Sequence, residues 1–185
     1  MSHTTPHVPL VAREAATGTV RAQLDEIHDA FGTVPTMFRA VAQSPAALTS
    51  LWGSFGALAG GTLGAAVGEQ IAVAVANRNA CEYCLAAHTA LGRKAGVSRE
   101  ALAAAQDGDS DDPRTEALLR FALTVVEQRG QVTAEDVQAV RDQGWGDEHV
   151  VEVLAHVALN LFTNYVNIAL AVPVDFPVVG LRRAG

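Results

Sequence analysis

The 185-residue chain has only two thiols, Cys81 and Cys84, three positions apart in the stretch ACEYCLAAHTALGRKAG, with His88 one helical turn further on. A dithiol–disulfide couple, a metal clasp, or small side chains buried in a core would each give part of that pattern. On a helix, residues three and four apart share a face, so Cys81 neighbours Cys84 and Cys84 neighbours His88. The spacing predicts a helix with Asn79 or Ala80 as its last non-helical residue and Cys81 in its first turn. Unpaired N–H groups and the helix dipole favour an anion there, and so a thiolate. His88 can take a proton from Cys84 or stand beside it as a cation. Closeness to the helix terminus favours Cys81 as the reactive thiol, whereas closeness to His88 favours Cys84.

Glu69 is the second unusual residue. It sits in the apolar stretch GAAVGEQIAVAVAN, on a helix face with Ala65, Ala66, Ala72, Val73 and Ala76. A lone carboxylate on such a face is costly unless it is paired or protonated. Pairing with His88, or with a thiol through water, would account for it and would orient the imidazole. Cys81, Cys84, His88 and Glu69 could also supply four zinc ligands. Structural zinc sites, however, hold their cysteines on knuckles and turns in small, poorly packed domains. This chain has enough apolar sequence to build a core without a metal. The expectation is therefore a redox site with no metal and no cofactor.

The elements that must position these residues read as helices. Apolar residues make up 49% of the chain and aromatics 5%, a composition suited to close-packed helices. TVRAQLDEIHDAFG (19–32) has helical apolar spacing and a closing glycine. A short apolar helix after Pro35 ends near Ser44, and Pro45 opens another that runs to about Ala59. LGAAVGEQIAVAVANRN is apolar on nearly every face and is expected to be buried. The thiol helix follows it and stops at Gly96. Ser98 caps a helix to about Gln106, Pro113 leads one to Gly130, and Thr133 with Asp136 forms a capping box for one to Asp142. A long last helix runs from Asp147 to roughly Ala171, followed by an extended tail. No strand alternation, tandem repeat or low-complexity linker is visible. The fold class expected is all-α: one helical domain of about eight or nine helices over residues 17–185, with an N-terminal arm over residues 1–16.

The formal net charge of −7 and the lack of any larger basic cluster argue against a nucleic acid or an anionic membrane as partner. The N-terminus has no basic start followed by an apolar run, so a cytoplasmic location is expected. Residues Val153 to Val174 carry no formal charge, yet His156, Asn160, Asn164 and Asn167 form one polar stripe along them. Such a stripe points to packing within protein rather than to lipid. Its expected place is a seam between subunits or under a loop; the alternative sets His156 beside the thiols, which no sequence spacing encodes, so the stripe stays outside the catalytic set.

Taken together, EQIAVAVANRNACEYCLAAH resembles the signature of the alkylhydroperoxidase D-like branch of the carboxymuconolactone decarboxylase superfamily. That signature is Glu, eleven residues, Cys-x-x-Cys, three residues, His, and Glu69, Cys81, Cys84 and His88 match it at every spacing. The likeness extends through VPTMFRAVAQSPAAL, GRKAGVS and NYVNIALAVPVDFP. It implies an all-helical fold assembling as homo-trimers or hexamers, and thiol-dependent reduction of hydroperoxides. By the resemblance, Cys84 attacks the peroxide and Cys81 resolves the sulfenic acid to a disulfide. Glu69 and His88 relay the proton, and an external dithiol or thiol protein restores the pair. The best-known hydroperoxidases of this type have a histidine just before the second cysteine; here Tyr83 stands there, able to donate a hydrogen bond. The branch that gives the superfamily its name lacks the thiol pair, so decarboxylation is not expected. A redox sensor without turnover and a zinc-stabilised interaction module are the alternatives.

Overall fold

A computed structural model describes residues 5–182, and the first four and last three residues of the expected arm and domain lie outside them. The described residues form nine α-helices and no strand, as expected. They are α1 (Gly18–Phe31), α2 (Thr36–Val41), α3 (Pro45–Ala59), α4 (Gly64–Arg78), α5 (Glu82–Lys94), α6 (Arg99–Ala105), α7 (Pro113–Glu127), α8 (Ala134–Asp142) and α9 (Asp147–Ala169). Their starts follow the sequence signals. Ser44 and Ser98 accept hydrogen bonds from the N–H groups of Ala47 and Ala101, and Thr133 with Asp136 closes a capping box.

The core is organised around α4, which packs against α5, α6, α7 and α9. Gly68 and every residue from Gln70 to Asn77 are buried, which explains why this stretch is apolar on almost every face. Glu69 interrupts that run and is only half-buried. The N-terminus of α4 is capped from a distance. The Glu152 carboxylate on α9 accepts the N–H groups of Thr62 (2.9 Å) and Leu63 (3.3 Å) and the Thr62 hydroxyl (2.6 Å). Burial opposes the charge of Glu152, but these donors outweigh it and hold its pKa below the ordinary value. The approach is so close that a Cβ on Gly61 would run into the carboxylate.

The turn from α4 to α5 sets the thiols. Ala80 adopts a left-handed backbone (φ +54°), its N–H bonds to the Asn77 carbonyl at 3.0 Å, and the Cys81 N–H bonds to Ala76 at 2.9 Å. This is a Schellman closure with alanine where glycine is usual. It reverses the chain within three residues, so α5 starts beside the buried end of α4.

Beyond α9 the C-terminal segment crosses back over the molecule without helix. Asp175 accepts the Thr36 N–H at 2.8 Å, the Thr36 hydroxyl donates to the Pro173 carbonyl at 2.7 Å, and the Arg182 N–H donates to Asn77 at 2.8 Å. Residues ahead of α1 are tied down by bonds from the His7 N–H to Leu170 (2.8 Å) and from the Val11 N–H to Arg39 (3.0 Å). No helix among the described residues is long and apolar enough to cross a membrane.

Candidate active site

Cys81 is not in the first turn of α5, as its spacing suggested, but is the N-cap, in extended conformation. The Schellman closure spends Asn79 and Ala80 on ending α4, which moves the start of α5 one residue later than expected. As N-cap, the Cys81 sulfur accepts the Cys84 N–H at 3.3 Å, and Cys84 becomes the third helical residue. Both sulfurs are free thiols and both residues are at most 2% exposed.

Glu69 and His88 meet. Glu69 Oε2 lies 2.8 Å from His88 Nδ1, joining the odd carboxylate of α4 to the imidazole of α5. Burial works against protonation of His88, but the charge and hydrogen bond of Glu69 outweigh it, with help from Cys84, and raise its pKa. The protonated imidazole is thus favoured by a partner it could not find on its own helix.

The two thiols diverge in acidity. Burial pushes the Cys84 pKa upward, yet the Cys81 thiol, the charge of His88 and the amides of Asn167 and Asn164 together pull it down to about 7. The hydrogen bond with Cys84 and burial push Cys81 the other way, far above the ordinary thiol range. Cys84 is therefore the thiol poised to ionise, and Cys81 donates to it.

Beside Cys84 lies a cavity of about 30 Å³, bordered by His88, Asn167 and an apolar wall that includes Phe38, Phe55, Leu91 and Phe176. That is room for one or two water-sized groups. A second cavity of about 120 Å³ lies behind the relay, bordered by Glu69, His88, His156 and Asn160. His88 borders both. Among the described residues, no three His, Cys, Asp or Glu side chains converge to hold a metal ion.

The model of the carboxymuconolactone decarboxylase family matches residues 45–128, a span holding Glu69, both thiols and His88. Across 94% of each chain, the fold matches the alkylhydroperoxidase AhpD core of an uncharacterized peroxidase-related protein from Ralstonia eutropha, with TM-score 0.83 and 26% identity. The chain is similar to the alkylhydroperoxidase D-like branch of that family. A second uncharacterized peroxidase-related protein, from a Silicibacter species, matches with TM-score 0.79 and 22% identity over 93% of this chain and 95% of its own. The debrominase Bmp8, in a cysteine-to-alanine variant bound to 2,3,4-tribromopyrrole, shares the fold with TM-score 0.78 and 18% identity over 95% and 94%. No protein of curated function matches the sequence.

In this alkylhydroperoxidase D-like chain, Tyr83 does not reach the relay. Its hydroxyl accepts the Met37 N–H at 3.3 Å and faces the Thr36 hydroxyl at 3.5 Å, while its ring meets Phe176 edge-on at 5.7 Å. Burial holds the phenol well above its ordinary pKa, and therefore neutral. It fastens α2 and the C-terminal segment over the thiol cavity rather than moving a proton.

The asparagine stripe is not a subunit seam. Asn160, Asn164 and Asn167 are each at most 4% exposed inside this one chain, because α9 lays that face on α4 and α5. Asn167 Nδ2 donates to Cys84 Sγ at 3.2 Å, and Asn164 Oδ1 accepts from Asn79 Nδ2 at 2.9 Å. Asn167 thus belongs to the site although it lies outside the span of the family match. A polar stripe on a stretch free of formal charge, residues 153–174, was the available signal. His156 lies away from the thiols, against Gly68, where an added Cβ would stand 2.9 Å from the ring. Burial lowers its pKa and leaves it neutral behind the relay.

Proposed function

We propose that the chain is a thiol-dependent peroxidase in which Cys84 attacks and Cys81 resolves. The observation that supports this is one sulfur, Cys84 Sγ, held between a hydrogen-bonding amide, a second thiol and a carboxylate-paired imidazole at the edge of a small, largely apolar cavity. The His88–Glu69 pair keeps a positive charge beside the sulfur, so the thiolate forms near neutral pH and the proton stays on the imidazole. The thiolate attacks the terminal oxygen of a hydroperoxide ROOH. An S–O bond forms, the O–O bond breaks, and the alkoxide takes the proton from His88 to leave as ROH. Cys84 is then a sulfenic acid. The Cys81 sulfur attacks it, the S–S bond forms, and the hydroxide leaves with the Cys81 proton as water. An external dithiol exchanges with the disulfide, becomes oxidised itself and returns both thiols. The sum is ROOH plus a dithiol giving ROH, water and a disulfide.

The size of the thiol cavity supports a peroxide group over a brominated ring. About 30 Å³ admits an O–OH group but not a tribrominated pyrrole unless the aromatic wall moves. The apolar wall also keeps bulk water from the sulfenic acid and favours an organic R group. The expected assembly is a homo-trimer or hexamer, and the expected reductant a small dithiol or a thiol protein.

Steady-state consumption of an organic hydroperoxide with a dithiol reductant tests the reading. Turnover should be lost in Cys84→Ser and in Cys81→Ser. Full activity in both single variants would refute it. A disulfide that forms but is reduced too slowly to cycle, together with a change in oligomer size, would make the chain a sensor instead.

A further inference from the structure

We propose that the cavity enclosed by α5, α6 and the C-terminal segment is a second binding site, for a small amphipathic organic anion with a carboxylate or phosphate head. The cavity has a volume of about 420 Å³, within the range of small-molecule pockets and far larger than the space beside Cys84. It lies on the face of α5 opposite the thiols, bordered by Thr89 and Arg93 of that helix and by Arg99, Leu102 and Gln106 from α6 onward. Val178 of the C-terminal segment forms part of the remaining wall.

The chemistry of the lining is graded. A four-residue turn joins α5 to α6, so the two helices run back past one another, and Arg93 and Arg99 gather at the turn end. Neither guanidinium meets a carboxylate among the described residues, although the chain carries 20 acidic residues and only 13 basic ones. Arg93 uses one nitrogen on the Val97 carbonyl at 2.8 Å and leaves the rest of its fork free. The far end is bordered by Thr89 and Gln106, whose side-chain oxygens are turned out of reach of a water-sized group. Between the ends the wall is aliphatic. From Thr89 to Arg93 is about 6 Å along α5, and the full lined stretch from Ala86 is about 10 Å, enough for a short chain.

The site therefore reads as an anionic head held by Arg93 and Arg99 and an apolar body over Leu102 and Val178. Two guanidiniums suit carboxylate and phosphate alike, because both accept paired N–H donors. None of this depends on the thiol chemistry.

Isothermal titration of the full chain with octanoate, octyl phosphate, octanol and inorganic phosphate tests the site. Octanoate or octyl phosphate should bind saturably, one per chain. Octanol and inorganic phosphate should bind at least tenfold more weakly, since each lacks half of the ligand. Affinity should fall at least tenfold in Arg93→Gln/Arg99→Gln, two exposed positions whose change leaves the helical circular dichroism intact. It should be unchanged in Cys84→Ser, which separates this cavity from the one beside the thiol. Wild-type affinity in the double arginine variant, octanol binding as tightly as octanoate, or no saturable binding of either anion would overturn the proposal.

Discussion

At the residue scale the Cys84 sulfur is governed by groups from three helices, and each contribution can be removed singly. Alkylation of the wild-type chain by iodoacetamide should rise with pH through a midpoint near 7, the value to which Cys84 is drawn. In Glu69→Gln the imidazole loses the carboxylate that keeps it charged. The midpoint then moves up toward an ordinary thiol, and peroxide reduction at neutral pH slows by about 100-fold, the scale of a lost proton relay. The same pair affects stability. The His88 pKa is raised by folding, so its contribution is full below the unfolded-state value and is lost as pH rises through the folded-state value. Denaturation of wild type and Glu69→Gln should therefore differ most at mildly acidic pH. Asn167→Ala removes a hydrogen bond to the developing thiolate and should slow the reaction about tenfold, as expected for a bond to a charged group. A rate unchanged in Asn167→Ala would show that the amide does not act on the sulfur. Glu69 and His88 were legible because a carboxylate on an apolar helix needs a partner. Asn167 was not, because its contact spans 83 residues and no local spacing encodes it.

At the element scale the helices were readable because capping residues, prolines and glycines punctuate the chain at the right places. The one-residue error at Cys81 came from a turn that no glycine announces: Ala80 carries the left-handed backbone. That turn is improvable. Ala80→Gly should stabilise the chain by about 1 kcal/mol, since alanine is strained where glycine is not. Chemical denaturation measures it, and a loss of stability would mean that the α4–α5 closure is not as described. The cap that α9 supplies to α4 is equally local in effect and equally invisible in sequence. Glu152→Ala should cost about 1 kcal/mol at neutral pH by removing a shared N-terminal acceptor. Because the Glu152 pKa is lowered by folding, that difference should shrink as pH falls through its folded-state value.

At the scale of the whole molecule, the long helix α9, free of formal charge from Val153 onward, has two faces with different tasks. One carries the asparagines into the site. The other leaves Val151, Phe162, Tyr165 and Ile168 exposed by 39–64% along one side. A contiguous apolar strip of this kind is what a subunit contact would cover. In the proposed homo-oligomer, Phe162→Asp with Ile168→Asp should lower the mass measured by light scattering toward that of one chain, 19.3 kDa. An unchanged mass would place the contact elsewhere. The polar stripe of α9 argued against lipid in the sequence, but which face turned inward depended on how α4 and α5 pack. The graded cavity behind α5 was hidden for the same reason, since the C-terminal segment closes it from 70 residues or more away.

Mass spectrometry after one equivalent of an organic hydroperoxide tests the assignment of the two thiols most directly. Reduced wild type should lose two hydrogens as the Cys81–Cys84 disulfide forms. Cys81→Ser should carry a sulfenic acid on Cys84, trapped by dimedone, and Cys84→Ser should stay unmodified on the same timescale. A sulfenic acid on Cys81 in Cys84→Ser, formed as fast as the wild-type disulfide, would contradict the roles given to both residues.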